Sequence, residues 1–209
     1  IKVNSINIFI NSYMKFAIGT AQFKQSYGIL KNNIQKKEIK KILSFKFKKI
    51  DFIDTALSYG NSKFYLRKHL NNKIKIITKI DKLISKDPIN VSKEIEVKVI
   101  KNFQIFKNKQ LYCLLFHDEY DAEWMRSKIV KKKILELKKK KYFKKIGVSC
   151  YNYKLIKKYT KLYNFDVFQL PLNIFNINPK KIEELKNLKK KHNFQIHARS
   201  VFLQGVLLK

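Results

Sequence analysis

One pattern recurs seven times along this chain: a short apolar run, then a longer lysine-rich stretch. The runs Phe16 to Gly19, Phe52 to Thr55, Ile74 to Lys79, Leu111 to His117, Lys145 to Ser149, Phe165 to Leu170 and Phe194 to Ala198 read as buried strands. Between them Ile39, Ile42 and Leu43 recur at helical spacing, as do Val130, Ile134 and Leu137, and Ile182, Leu185 and Leu188. Each set lies on a lysine background that would face water. Strand and helix alternating in this way build βα units, whose parallel sheet must be covered by helices. Seven strands in one series, with no Gly-x-Gly-x-x-Gly turn after the first, predict an α/β fold of the (β/α)8 TIM-barrel type rather than a doubly wound sheet. The barrel is expected to be incomplete, the chain ending just past the seventh strand with the eighth and the C-terminal helices missing.

Nothing divides this series. With 209 residues, 45% of them hydrophobic, and only 5 Gly and 3 Pro, the chain can bury a real core and shows no linker. One domain over residues 14–209 is expected, residues 1–13 being a short extension outside it and Met14 a candidate start. Cys113 and Cys150 fall in apolar runs and read as buried free thiols, which suits a reducing cytoplasm. No apolar run approaches the roughly 18 residues of a membrane span, so no membrane partner is expected. The formal charge of +32 invites a nucleic-acid reading, above all in the basic run Lys131 to Lys145. Yet arginine occurs only at Arg67, Arg126 and Arg199, while lysine is spread along the whole chain beside abundant Asn, Ile, Phe and Tyr. Phosphate and base readers lean on the forked donors of arginine. The charge is therefore read mainly as solvated helix faces under a codon bias, with no nucleic-acid partner, though it would favour an anionic ligand.

Function in such a barrel lies at the C-terminal ends of the strands. The second strand leads into Asp54-Thr-Ala-Leu-Ser-Tyr59-Gly60, the third ends in Lys79, and the fourth in His117. Each residue alone has a structural reading: a strand-end Asp caps a helix or holds an ion pair, Lys79 is one lysine of many, and a strand-end His is commonly just hydrogen-bonded. Together they make a proton-transfer device. A tyrosine hydroxyl titrates at about 10 in water. An ammonium held beside it by a carboxylate stabilises the phenolate, so Tyr59 becomes the better acid, and His117 can orient the oxygen that receives the proton.

With these residues on the page the chain resembles the aldo/keto reductases. The matching stretches, in family order, are Met14-Lys-Phe-Ala-Ile-Gly-Thr-Ala-Gln-Phe23, Asp54 to Gly60, Ile77-Thr-Lys79, Leu114-Leu-Phe-His-Asp118, Ile146-Gly-Val-Ser149, Val167-Phe-Gln-Leu-Pro-Leu-Asn173 and Ile196-His-Ala-Arg-Ser-Val-Phe-Leu-Gln-Gly205. The resemblance implies reduction of an aldehyde or ketone by hydride from NADPH, with NADH the alternative, and no metal. It implies Tyr59 as general acid, Asp54 and Lys79 as its tuning pair, and His117 as the residue aligning the carbonyl. It also implies Ser149 and Gln169 on the nicotinamide carboxamide, Gly19 on the pocket floor, and Arg199, Ser200, Gln204 and Gly205 beside the nicotinamide and pyrophosphate. Arg199 stands where many relatives place a stacking tyrosine.

Two loop positions depart from the family, Lys24 for a usual Gly and Lys63 for a usual Glu. The missing eighth strand would leave strands 1 and 7 with unpaired edges. The chain alone is therefore expected to bind the cofactor poorly and to be an inactive fragment of an active enzyme. A small carbonyl compound, by association a sugar-derived one, is the implied substrate. A non-catalytic degenerate barrel and a basic nucleic-acid-binding protein are the alternatives at this point.

Overall fold

Apolar residues alternate inward and outward along each strand, and that alternation builds two cores. The structure, a computed structural model, describes residues 15–23, 34–44, 50–69, 73–107 and 109–208. Residues 1–13 and Lys24 lie outside them. Seven strands, β1 (Phe16–Gly19), β2 (Ile50–Asp54), β3 (Lys75–Ile80), β4 (Leu111–Phe116), β5 (Phe143–Ser149), β6 (Val167–Pro171) and β7 (Gln195–Arg199), pair in parallel in sequence order. Around them run the helices α1 (Lys36–Ser44), α2 (Ser62–His69), α3 (Pro88–Ile105), α4 (Lys128–Lys139), α5 (Lys154–Leu162) and α6 (Pro179–His192). Short 3₁₀ turns follow β1, β4 and β7. This is an incomplete (β/α)8 barrel. Among the described residues β1 pairs only with β2 and β7 only with β6. The loops beyond these two edges still meet, Gln22 Nε2 donating to the Gln204 carbonyl at 3.1 Å.

One core fills the barrel: Phe52, Ile77, Cys113, Leu115 and Val167 pack together on the inner face. The other lies between sheet and helices, where the intervening residues Ile53, Ile76, Leu114, Phe116, Ile146, Val148 and Phe168 meet Leu66, Val91, Ile95, Ile134 and Leu185. A parallel sheet buried on both faces needs this arrangement. Both cysteines are buried free thiols.

The basic run splits as its periodicity predicts. In α4, Val130, Ile134 and Leu137 are buried while the lysines between them line the outer face. Those three side chains contribute at most about 1.5 to 3 kcal/mol each by burial, which is what fixes the helix on the sheet. Phe143 beyond it is already the buried start of β5.

α3 escapes its sequence pattern. Ile95, Val97 and Val99 alternate with charged residues as a strand would, yet the helix buries Val91, Ile95 and Val99 and leaves Val97 exposed. Its start is fixed locally: Pro88 occupies the first turn, and the Asp87 carboxylate accepts from the amides of Ile89 and Asn90. The same device starts α6, where Asn178 accepts from the Lys181 amide ahead of Pro179. Strands 6 and 7 begin one or two residues later than their apolar runs. Phe165 and Phe194 lie just before them, packed edge-to-face against Phe168, with ring centroids 5.7 and 4.9 Å apart. Their hydrophobicity serves the outer core rather than the strand. No helix among the described residues is long and apolar enough to cross a membrane.

Candidate active site

The parallel register carries the chemistry-bearing residues to one end of the sheet. Asp54 ends β2, Lys79 lies one residue from the end of β3, and His117 immediately follows β4. Tyr59 sits in the turn before α2, which is closed by hydrogen bonds from the Tyr59 amide to the Ala56 carbonyl (3.1 Å) and from the Ser62 amide to the Tyr59 carbonyl (3.3 Å). The strand ends supply rigid positions and the turn supplies reach.

Lys79 is the hub. Its side chain is 1% exposed, and Nζ donates to Asp54 Oδ1 at 2.7 Å and to the Thr55 carbonyl at 3.1 Å. It also lies 5.1 Å from the centroid of the Tyr59 ring and hydrogen-bonds the phenol. Burial alone would push this ammonium below the usual lysine range, but the charge of Asp54, then Tyr59, raises it, and the net direction is up. The ammonium is thus kept charged in an interior that would otherwise neutralise it. Behind it, buried Asn102 accepts from the Thr78 hydroxyl at 2.7 Å and donates to the Lys98 carbonyl at 3.0 Å, pinning β3 to α3.

His117 completes the group. Its ring stands edge-on to Tyr59, centroids 6.0 Å apart and planes at 77°. Its amide donates to the Ile80 carbonyl at 3.0 Å, and Nδ1 lies 3.7 Å from Asp81 Oδ1. Burial would raise the Asp81 carboxyl, but contacts with His117 and Ser58 and the charge of Lys98 hold it below its ordinary range.

The other predicted residues occupy the ends of β1 and β5 to β7. Gly19 is in register with Asp54, and a Cβ built on it meets nothing within 4 Å. Ser149 and Gln169, both buried, are cross-strand partners at the ends of β5 and β6. Gln169 Oε1 is buried with no hydrogen-bond partner among the described residues. Arg199 ends β7, its guanidinium lying 4.2 Å above the Tyr151 ring, and its Nε and Nη2 are likewise buried and unpaired among those residues. Ser200 and Gln204 follow with left-handed φ of 54° and 57°, and Gly205 falls in the 3₁₀ turn that ends the described chain. The structure thus joins Asp54, Lys79, Tyr59 and His117, in that order, by successive contacts. It sets the remaining seven on the neighbouring strand ends and the turn after β7.

Three residues went unnoticed in the sequence. Asp81 and His197 each lie two residues from a residue that was singled out, Lys79 and Arg199, and a strict period of two could have found them. His197, on β7, is a half-buried imidazole with its Nδ1 buried. Burial, its largest influence, lowers it below its ordinary value, against the raising effect of Asp54. Asn102, on α3, left no signal, because nothing local distinguishes it from the chain's many surface asparagines.

The model of the Aldo/keto reductase family matches residues 15–209. Among solved structures, the aldo-keto reductase AKR11C1 from Bacillus halodurans in its holo form is 18% identical with a TM-score of 0.71, over 92% of this chain and 64% of that one. The glycerol dehydrogenase AKR11B4 from Gluconobacter oxydans is 19% identical with a TM-score of 0.61, over 91% and 61%. A variant of Gox0644 in complex with NADPH is 20% identical with a TM-score of 0.56, over 82% and 60%. The chain thus spans less than two thirds of the length of each of these three. Among curated proteins none matches it.

Proposed function

The chain belongs to the aldo/keto reductase family, and from that premise we propose that it carries the catalytic centre of an NADPH-dependent reductase of aldehydes or ketones. The observation that carries this reading is the buried Lys79 ammonium, clamped by Asp54 at 2.7 Å and set against the Tyr59 ring. An ion pair in a core is costly and contributes little to stability compared with apolar packing. A cation kept charged beside a phenol has a chemical use: it stabilises the phenolate left when Tyr59 gives up its proton.

The strand ends suit a nicotinamide cofactor. Its carboxamide needs a donor and an acceptor in a buried place, and the unpaired Gln169 Oε1 beside Ser149 provides an unfilled acceptor and a hydroxyl. The two unpaired donors of Arg199 suit phosphate oxygens, and the left-handed turn at Ser200 and Gln204, running into Gly205, would lie alongside. At Gly19 the missing side chain leaves open space. When bound, the reduced nicotinamide supplies the hydride that adds to the carbonyl carbon. Tyr59 delivers the proton to the carbonyl oxygen, His117 aligns that oxygen, and Asp54 holds Lys79 in place throughout. The substrate class is a small carbonyl compound; one solved relative is a glycerol dehydrogenase, and a polyol-derived or sugar-derived carbonyl fits the same reading. NADPH is favoured over NADH because a solved relative holds it.

Activity is assigned to a closed barrel. With β1 and β7 each paired on one side among the described residues, the 209-residue chain by itself is expected to bind NADPH weakly. The test is carbonyl-dependent NADPH oxidation, measured at 340 nm in the 209-residue chain and in the same chain extended by an added eighth strand. Tyr59→Phe should lower kcat by at least about 100-fold, the scale of a lost general acid, and leave cofactor affinity unchanged. A Tyr59→Phe enzyme that keeps its rate would overturn the assignment.

A further inference from the structure

We infer that Asp81 is a positioning residue for His117: its carboxylate holds the proton of the imidazole on Nδ1, so that the ring meets the substrate oxygen through Nε2. The inference deepens the reading above and rests on His117 being the group that aligns the carbonyl. It starts from chain geometry. β3 ends at Ile80, and side chains two apart along an extended chain share a face, so Asp81 follows Lys79 to the same rim. There Asp81 Oδ1 is buried and makes no hydrogen bond of ordinary length among the described residues, while it faces His117 Nδ1 at 3.7 Å.

That distance is an ion-pair contact still longer than a hydrogen bond. Contacts of this kind tighten when an active site closes on its substrate. The backbone beneath the ring is fixed, the His117 amide being tied to the Ile80 carbonyl at 3.0 Å, one residue from Asp81, and Tyr59 stands edge-on to the ring. The same carboxylate is also held down by Ser58, the neighbour of Tyr59. One acid thereby ties the turn of the proton donor to the ring that aligns the acceptor. An imidazole has two nitrogens, and which one carries the proton is set by what the other partner accepts. A carboxylate at Nδ1 excludes the tautomer whose lone pair would point at it. Nε2 then faces the substrate, and it donates to the carbonyl oxygen when the ring is doubly protonated.

Ring nitrogen shifts in the uniformly ¹⁵N-labelled full chain read this directly, without turnover. The chain has 4 histidines, and His117→Gln identifies the relevant pair of signals. The expected result is a protonated Nδ1 on His117 in the parent protein and a neutral ring shifted toward Nε2–H in Asp81→Asn. Asp81→Glu should restore much of the parent pattern. In the active enzyme Asp81→Asn should reduce kcat/KM about 10- to 100-fold, as loss of an orienting partner does, with NADPH affinity held within about twofold. Unchanged His117 nitrogen shifts in Asp81→Asn would overturn the inference, and so would a loss of melting temperature with the tautomer intact, which marks a merely structural acid. If no carbonyl reduction is found at all, the functional reading falls while the nitrogen shifts still decide the role of Asp81.

Discussion

Replacing Asp54 by Asn isolates what the Lys79 ion pair does. The ammonium is 1% exposed, and its partners are Asp54 at 2.7 Å, the Thr55 carbonyl at 3.1 Å and the Tyr59 phenol. Removing one member of a buried pair costs about 3 to 5 kcal/mol, because the other charge stays behind uncompensated. Asparagine keeps an oxygen that can accept from Nζ, so the lower end, about 3 kcal/mol, is expected. For a chain of this length that is a fall in Tm of about 6 to 12 °C, read by circular dichroism at 222 nm. The pH dependence gives an independent check. In the parent protein Lys79 is raised in the folded state, so its contribution is fully present below the unfolded lysine value of about 10.4 and is lost only as pH rises through the higher folded value. In Asp54→Asn burial prevails and Lys79 falls below its unfolded value. The unfolded chain then binds the extra proton, and the variant gains stability as pH rises from 7 toward 10. The gap between the two proteins should narrow over that range. Adding Lys79→Met to Asp54→Asn should recover most of the loss by removing the stranded charge. A cost below about 1 kcal/mol that is flat with pH and not rescued by Lys79→Met would refute the buried-pair argument.

Two further predictions concern the frame around the site. Gly147 is the register partner of Val167 where β5 pairs with β6, and an added Cβ would clash with the Val167 carbonyl oxygen and come 2.8 Å from Leu115 Cδ2. Because the first of these is backbone, Gly147→Ala should cost at least about 3 kcal/mol, the upper end for overpacking, seen as a lower midpoint in urea; an unchanged midpoint would show that the strands can part freely. Glu94 accepts from the amides of Ile84 and Ser85 and pairs with Lys98 at 2.7 Å. Although burial opposes it, the Lys98 contact and these amides hold its carboxyl down at about 2. Its contribution is therefore present above the unfolded glutamate value of about 4.3 and lost as pH falls from there toward about 2. Glu94→Gln should flatten the acid limb of a stability-versus-pH curve in that window, and an acid limb identical to the parent's would count against the assignment.

The sequence by itself determined the sheet. Seven apolar runs spaced by lysine-rich helices allow little besides a parallel α/β array, since strands buried on both faces need crossover helices to cover them. It also determined that Asp54, Lys79 and His117 fall at strand ends, because in a parallel array all strand ends of one polarity lie on the same side. The aldo/keto reductase resemblance rested on the order of the motifs, and the family match over residues 15–209 agrees with it. What the sequence left open lay where local pattern and tertiary environment diverge. α3 alternates like a strand, and only its cap at Asp87 and its place against β3 make it a helix. Phe165 and Phe194 extend the apolar runs past the strands because the outer core, not the ladder, needs them. The tertiary structure alone decided that the Lys79 ammonium is buried with its charge intact, that Asp81 stands behind His117, and that Asn102 braces β3 from a helix more than 20 residues along the chain. Such contacts join residues distant in sequence. Their energies depend on distances of a few ångströms and on exclusion of water, and neither exists until the barrel has folded.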